Sequence, residues 1–175
     1  PNTNQIFSAS GRDAYGNHIP GLLFNWSVPT GGGSILTPSP QSVVTYRSST
    51  VSGGANSIKV QSITGVTNTV AVITVNPGPL TRIVVTPTGV TLVPNGTRAY
   101  TAAGFDQYDN YRSGETFTWS VDPVYSGKMS FSGNILTAGT QAGNYPNAVI
   151  ATAVSTGLTG RGNVAISTAA LASMT

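Results

Sequence analysis

The sequence predicts an all-β chain built from two tandem β-sandwich domains, each made of two packed sheets. Three observations carry this expectation: an internal repeat, apolar residues that alternate with period two in short runs, and a composition rich in turn formers and poor in charge. The repeat is the strongest. Asp13-Ala14-Tyr15-Gly16-Asn17 recurs as Asp106-Gln107-Tyr108-Asp109-Asn110, and Phe24-Asn25-Trp26-Ser27-Val28 recurs as Phe117-Thr118-Trp119-Ser120-Val121, both at an offset of 93. In the later half, Ile58, Val60, Ile73 and Val75 fall on Val149, Ala151, Val164 and Ile166 at an offset of 91. The difference is absorbed between Val28 and Ile58, where Gly, Pro and Ser dominate and loops vary in length at little cost. A repeat of about 90 residues is too long for a helical solenoid unit and suits one sandwich domain.

Within each unit, Phe7 and Ala9 match Tyr100 and Ala102, while Phe24, Trp26 and Val28 match Phe117, Trp119 and Val121. Period-two spacing places each set on one face of a strand. The predicted core therefore includes Trp26, Trp119, Phe24, Phe117, Phe7 and Tyr100, with the two indoles in mid-sandwich on the strand after the Asp-x-Tyr-x-Asn turn. In that turn, Asp13, Asn17, Asp106 and Asn110 are the residues expected to bond nearby backbone amides. No helical periodicity is present. The junction Asn76-Pro77-Gly78-Pro79 is short and stiffened by two prolines. It separates a first domain over 1–76 from a second over 80–167. Residues 168–175 are read as a linker and either the start of a further repeat or a donated strand.

Charged residues make up 7% of the chain, against roughly 25% in an ordinary soluble domain. The eight Lys and Arg are scattered singly and give a net charge of +3. Nucleic-acid binding needs clustered cations that neutralise several phosphates together, and no cluster exists. No apolar run approaches the roughly 20 residues that span a bilayer, so no membrane span is expected in this sequence. Cysteine is absent, which removes disulfides and thiol chemistry.

Catalysis has little to work with. The one histidine, His18, stands in a predicted turn, and the five acidic residues offer no convincing acid–base pair. No catalytic residue and no cofactor are expected. Asp106, Asp109 and Asn110 are the single oxygen-ligand set worth weighing for calcium, which takes roughly six to eight oxygens, but turn capping is the preferred role. Two glycosylation sequons occur, at Asn25 and Asn95. Lys59 and Lys128, the only lysines, have no partners repeated between units that would suggest a covalent cross-link.

The segment Asp13–Gly21 leading into Phe24–Val28 resembles bacterial immunoglobulin-like repeats of the invasin and intimin type. So does the succession Leu80–Pro87, Phe105–Asn110 and Phe117–Val121. Related repeats are appended to secreted polysaccharide-degrading enzymes and surface-layer proteins. The resemblance implies an immunoglobulin-like sandwich, an extracellular cell-surface location, and spacer, stalk or adhesive roles without catalysis in the repeat itself. The second unit departs from the family pattern at Asp109, where glycine is usual, and at Tyr111–Ser113.

The repeat arithmetic exposes an asymmetry. Pro1 aligns with Pro94, so the first unit lacks a counterpart of Leu80–Val93 and hence its N-terminal strand, while Leu171–Thr175 aligns with Leu80–Val84. One explanation is that the chain is a segment of a longer array. The other is strand donation between like subunits, with Leu171 and Met174 entering a neighbour's groove. The expected function is a non-catalytic extracellular spacer, stalk or filament module whose partners are neighbouring repeats or like subunits. The alternatives are an adhesive or carbohydrate-binding module, with Tyr46, Tyr111, Tyr125 and Tyr145 as loop aromatics that could stack on a surface glycan or protein, and an accessory domain of a secreted hydrolase.

Overall fold

The computed structural model of the chain describes residues 1–54, 56–65 and 67–170. It divides into two compact units, Pro1–Gly78 and Pro79–Thr175. Both are all-β.

Unit 1 contains β1 (Asn4–Ser8), β2 (Gly11–Arg12), β3 (His18–Ile19), β4 (Phe24–Thr30), β5 (Gly33–Ile35), β6 (Val43–Ser48), β7 (Asn56–Ser62) and β8 (Thr67–Ile73). One sheet has the order β1-β6-β5 and the other β4-β7-β8, while β2 and β3 form a short ribbon. The registers follow the apolar alternation: Phe7 lies opposite Val44, and Trp26 opposite Val60. Phe7, Ile35, Val44 and Tyr46 from the first sheet thus meet Trp26, Val28, Ile58, Ala71 and Ile73 from the second in one cluster. The Tyr46 hydroxyl is satisfied inside the fold, donating to the Gly32 carbonyl at 2.9 Å.

Unit 2 contains β9 (Arg82–Thr86), β10 (Gly89–Leu92), β11 (Thr97–Ala99), β12 (Thr101–Phe105), β13 (Tyr111–Arg112), β14 (Phe117–Val121), β15 (Met129–Ser132), β16 (Ile135–Ala138), β17 (Gly143–Ala153) and β18 (Thr159–Ile166). A single 3-10 turn at Pro123–Tyr125 is capped by the Asp122 side chain. One layer is β10-β18-β17-β14. The other is assembled from β13-β12-β9 and β11-β16-β15, with β11 and β12 interrupted only at Tyr100. β9 pairs antiparallel with β12, and β10 pairs parallel with β18. The entering segment therefore changes layer between Thr86 and Thr88. Pro87 stands at the change, where a residue without an N–H cannot extend the first ladder.

β9 closes the unit 2 core. Its Ile83 and Val85 are 9% and 2% exposed, and they lie over two glycines of β18. A Cβ on Gly160 would sit 2.6 Å from Ile83 Cγ2, and one on Gly162 would sit 3.3 Å from Val85 Cγ1. Beneath them lie Tyr100, Val149, Ala151 and Val164, all fully or nearly fully buried. Burying side chains of this size is worth about 1.5–3 kcal/mol each.

The two indoles are half-buried and pack against the cores rather than being enclosed by them. Trp119 stacks on Phe131 with 5.7 Å between ring centroids. The Trp26 Nε1 donates to the Gln41 carbonyl at 2.9 Å. Phe24 is buried, Phe117 and Phe7 are half-buried, and the fully enclosed aromatic rings are Tyr46 and Tyr100.

The Tyr100 hydroxyl is buried without a hydrogen-bond partner among the described residues, and burial pushes its pKa up. Its counterpart in unit 1 is Phe7. Tyr100→Phe removes the solvation cost and keeps the ring contacts, so unit 2 is expected to gain about 1 kcal/mol in urea unfolding. A lower midpoint for the variant would show that the hydroxyl contributes to the fold.

Candidate functional site

Two features stand out from the scaffold: a pair of equivalent aspartate turns and an open groove in unit 1.

The turns are the repeated Asp-x-Tyr-x-Asn motifs. In unit 1, Asp13 Oδ1 accepts from the Tyr15 and Asn17 amides at 2.9 and 2.8 Å, and Oδ2 accepts from Asn17 Nδ2 at 2.9 Å. In unit 2, Asp106 accepts from the Tyr108 and Asn110 amides and from Asn110 Nδ2 at 2.8, 3.0 and 2.9 Å. The backbone bonds match too: Gly16 N to Asp13 O, and Asp109 N to Asp106 O, are both 3.1 Å. The fourth residue has positive φ in each, 87° at Gly16 and 63° at Asp109. Replacement of glycine by Asp109 therefore preserves the turn. A non-glycine residue is strained there, and Asp109 gains a partner in Arg82, whose Nη2 lies 2.8 Å from its Oδ1. Arg82 also lies over the Phe105 ring at 4.7 Å.

This geometry gives Asp106, Asp109 and Asn110 structural partners. Both Asp106 oxygens face into the turn, and Asp109 turns outward to Arg82. Among the described residues there is no group of three or more His, Asp or Glu side chains able to hold a metal. The two turns differ in burial. Asp106 is 1% exposed, whereas Asp13 is exposed.

Of the four tyrosines expected in loops, three lie on strands, Tyr111 on the short β13 among them. Tyr46 lies on β6 and Tyr145 on β17, and both are buried. Tyr145 packs edge-on to the half-buried Tyr125 and donates its hydroxyl to the Gln141 carbonyl at 2.8 Å. The cause is the inward side of strand alternation, which short Gly/Ser-rich surroundings obscured. Tyr111 stays at the surface at 58% exposure, and Tyr15, at the tip of the first turn, is 91% exposed. Both sequon asparagines, Asn25 and Asn95, are exposed. Asn25 stands on β4, an edge strand rather than a central one among the described elements.

The groove is the larger feature. It is an open apolar cavity of about 580 Å³ whose walls include Phe7, Leu22, Phe24, Trp26, Ile58 and Ala71. A second cavity, of about 340 Å³, lies within the same unit between Pro1, Thr3 and Gln5 on one side and Ile73, Thr74 and Val75 on the other. No titratable cluster converges on either. Leu171 and Met174, expected as donated residues, lie outside the described residues.

No family model matches the chain, and no curated protein does. Among solved structures it is similar to domains 1-6 of surface layer protein SbsC, at 19% identity and a TM-score of 0.40, over 94% of this chain and 23% of that one. It is similar to invasin, a bacterial integrin-binding protein, at 14% identity and a TM-score of 0.46, over 89% of this chain and 35% of that one. It is also similar to the Escherichia coli adhesin FdeC, at 19% identity and a TM-score of 0.44, over 95% of this chain and 64% of that one. The chain spans less than two thirds of the length of each.

Asp106→Ala removes three bonds to a buried carboxylate and is expected to cost unit 2 about 3 kcal/mol in urea unfolding. Asp13→Ala, at an exposed site, is expected to shift unit 1 less. Equal losses would show that burial does not set the strength of the turn.

Three carboxyl groups titrate below the usual range: Asp13 chiefly through the Asn17 side chain, Glu115 through the Ser155 hydroxyl and then Arg112, and Asp122 through Arg161 and then the Val124 amide. A carboxyl with a lower pKa when folded stabilises the fold above its unfolded value. That contribution is lost as pH falls through the folded value. Urea midpoints are thus expected to hold from neutrality down to the ordinary carboxylate range and to drop below it, less steeply in high salt because the groups are screened. Midpoints that rise on acidification would contradict these assignments.

Proposed function

We propose that the chain is a non-catalytic structural module of an extracellular cell-surface protein, built to carry tension along a stalk or spacer. The observation that carries this reading is the pairing of the first and last strands of unit 2's larger sheet. β10 and β18 run parallel, in the register Gly89–Asn163 to Leu92–Ile166. Bonds from Asn163 N to Thr88 O and from Ser167 N to Leu92 O, at 2.9 and 2.8 Å, extend the ladder at both ends. The chain enters β10 at one end of this ladder and leaves β18 at the other. Tension on the unit therefore shears every bond of the ladder at once instead of peeling them one at a time.

The composition supports the same reading. Surface polarity comes from hydroxyls and amides, with few charges, and the motif resemblance is to repeats displayed on cell surfaces. Binding through loop aromatics has less support, because Tyr46 and Tyr145 are buried in the scaffold.

Single-molecule force spectroscopy tests the mechanical role. Unit 2 is expected to resist more force when pulled through its ends than through attachment points that peel β10 from β18. A strand residue points its N–H and C=O to the same side, so the Leu92 carbonyl bond places the Leu92 N–H in the ladder as well. Leu92→Pro should then lower the end-to-end force sharply. Equal forces in the two pulling directions would sink the mechanical reading, and failure of an antibody to label intact producing cells would sink the surface location.

A further inference from the structure

The two units treat one sheet edge differently. In each, the strand that carries the indole, β4 or β14, stands at the margin of its sheet. Along β14, Val154 N donates to Thr116 O and Asp122 N to Ala148 O. These bonds fix the phase of the ladder, because partners in an antiparallel pair alternate between bonded and non-bonded positions. Thr118 and Ser120 therefore turn their backbone groups to β17, and Phe117, Trp119 and Val121 turn theirs outward. β4 has the same phase. Ile63 N donates to Leu23 O, so Phe24 and Trp26 point outward.

In unit 1 those outward groups are taken. The link between β5 and β6, residues 36–42, folds along β4. Gln41 N donates to Phe24 O at 3.0 Å, the Trp26 amide to Ser39 Oγ at 3.2 Å, and Trp26 Nε1 to Gln41 O at 2.9 Å. In unit 2 the corresponding strands, β15 and β16, are joined by Gly133 and Asn134 alone, which cannot reach back to β14. The longer link 122–128 does not substitute for the missing cover. Its Tyr125, Ser126 and Lys128 amides bond within the link, and its Asp122 amide bonds to Ala148. Among the described residues nothing bonds to the Phe117 carbonyl, the Trp119 amide or Trp119 Nε1. Trp119 is half-buried and stacks on Phe131 beside this edge.

We propose that the β14 edge of unit 2 receives an extended, neutral segment of a partner protein with the pattern that covers β4 in unit 1, Pro-Ser-Pro-Gln. Each feature of the pattern has a task. The glutamine position supplies an N–H for the Phe117 carbonyl and a carbonyl for the Trp119 indole. The serine hydroxyl accepts from the Trp119 amide. The prolines, without N–H groups, leave no fresh edge for a further strand. Neutrality follows from the site, because Phe117–Val121 carries no charge and an unpaired charge set against Trp119 and Phe131 would lose its water. The binding mode is β-strand addition. A second copy of this chain is not the occupant. Two β14 strands in full register set Trp119 opposite Trp119, two indole donors with no acceptor, and an offset register shortens a ladder of only five residues. The covering segment of each copy is already engaged on its own β4.

The test uses the full 175-residue chain, hydrogen exchange read by NMR, and the synthetic peptide of residues 36–42 as the probe. The two indole resonances are told apart with Trp119→Phe. At ten times its Kd, the peptide is expected to slow exchange of the Trp119 amide about tenfold and to shift the Trp119 indole resonance. The Thr118 and Ser120 amides, which face β17, and the Trp26 indole, which Gln41 already holds, should not change. The same peptide with Gln41→Pro lacks the N–H that meets Phe117 and should give no protection. The proposal is overturned if the first peptide leaves the Trp119 amide unprotected at millimolar concentration, if the proline peptide protects it equally, or if the Trp26 indole responds in place of Trp119. It is also overturned if the chain alone sediments as a dimer with the Trp119 amide already protected, since the occupant would then be a second copy. The outcome is separate from the mechanical reading, which rests on β10 and β18 at the other margin of the sheet.

Discussion

The structure depends on how a two-layer sandwich closes along its open side. In unit 2 one entering segment does this by joining both layers, antiparallel on one and parallel on the other. Its inward side chains, Ile83 and Val85, settle over Gly160 and Gly162, where the absence of Cβ atoms leaves room. This one placement buries Tyr100, Val149, Ala151 and Val164 together. In unit 1 the corresponding sheet pair carries an open apolar groove lined by Phe7, Phe24, Trp26, Ile58 and Ala71.

The aspartate turn is the second fixed point, and it is local. One carboxylate gathers two backbone amides and one side-chain amide within five residues. Because nothing distant is required, the turn forms alike in both units, even though Asp13 is exposed and Asp106 buried. It also tolerates Asp109 in the left-handed region, with Arg82 of β9 reaching across to it. Local hydrogen bonding sets the shape of the turn, and tertiary packing sets how deeply it is buried.

The same division explains which expectations from sequence were met. The strand character was readable because period-two alternation acts over a few residues, and each aspartate turn closes its bonds within five residues. The tyrosines were misread for the opposite reason. Tyr46 and Tyr145 lie near Gly- and Pro-rich stretches, and only the pairing of β6 with β1 and of β17 with β18 shows that their strands carry them inward. The half-buried state of the indoles, expected in mid-sandwich, depends on neighbours contributed by other strands.

The sequence by itself determined the all-β class, the repeat and the turn positions, since each of these is written in local pattern or in alignment of the chain with itself. Only the tertiary structure decided that unit 1 carries an apolar groove lined from both sheets and that β10 and β18 lie parallel as neighbours. These are relations between residues tens of positions apart. They are fixed by which sheet each strand joins and by the space that glycine leaves beneath it, and neither leaves a signature in the local order of residues.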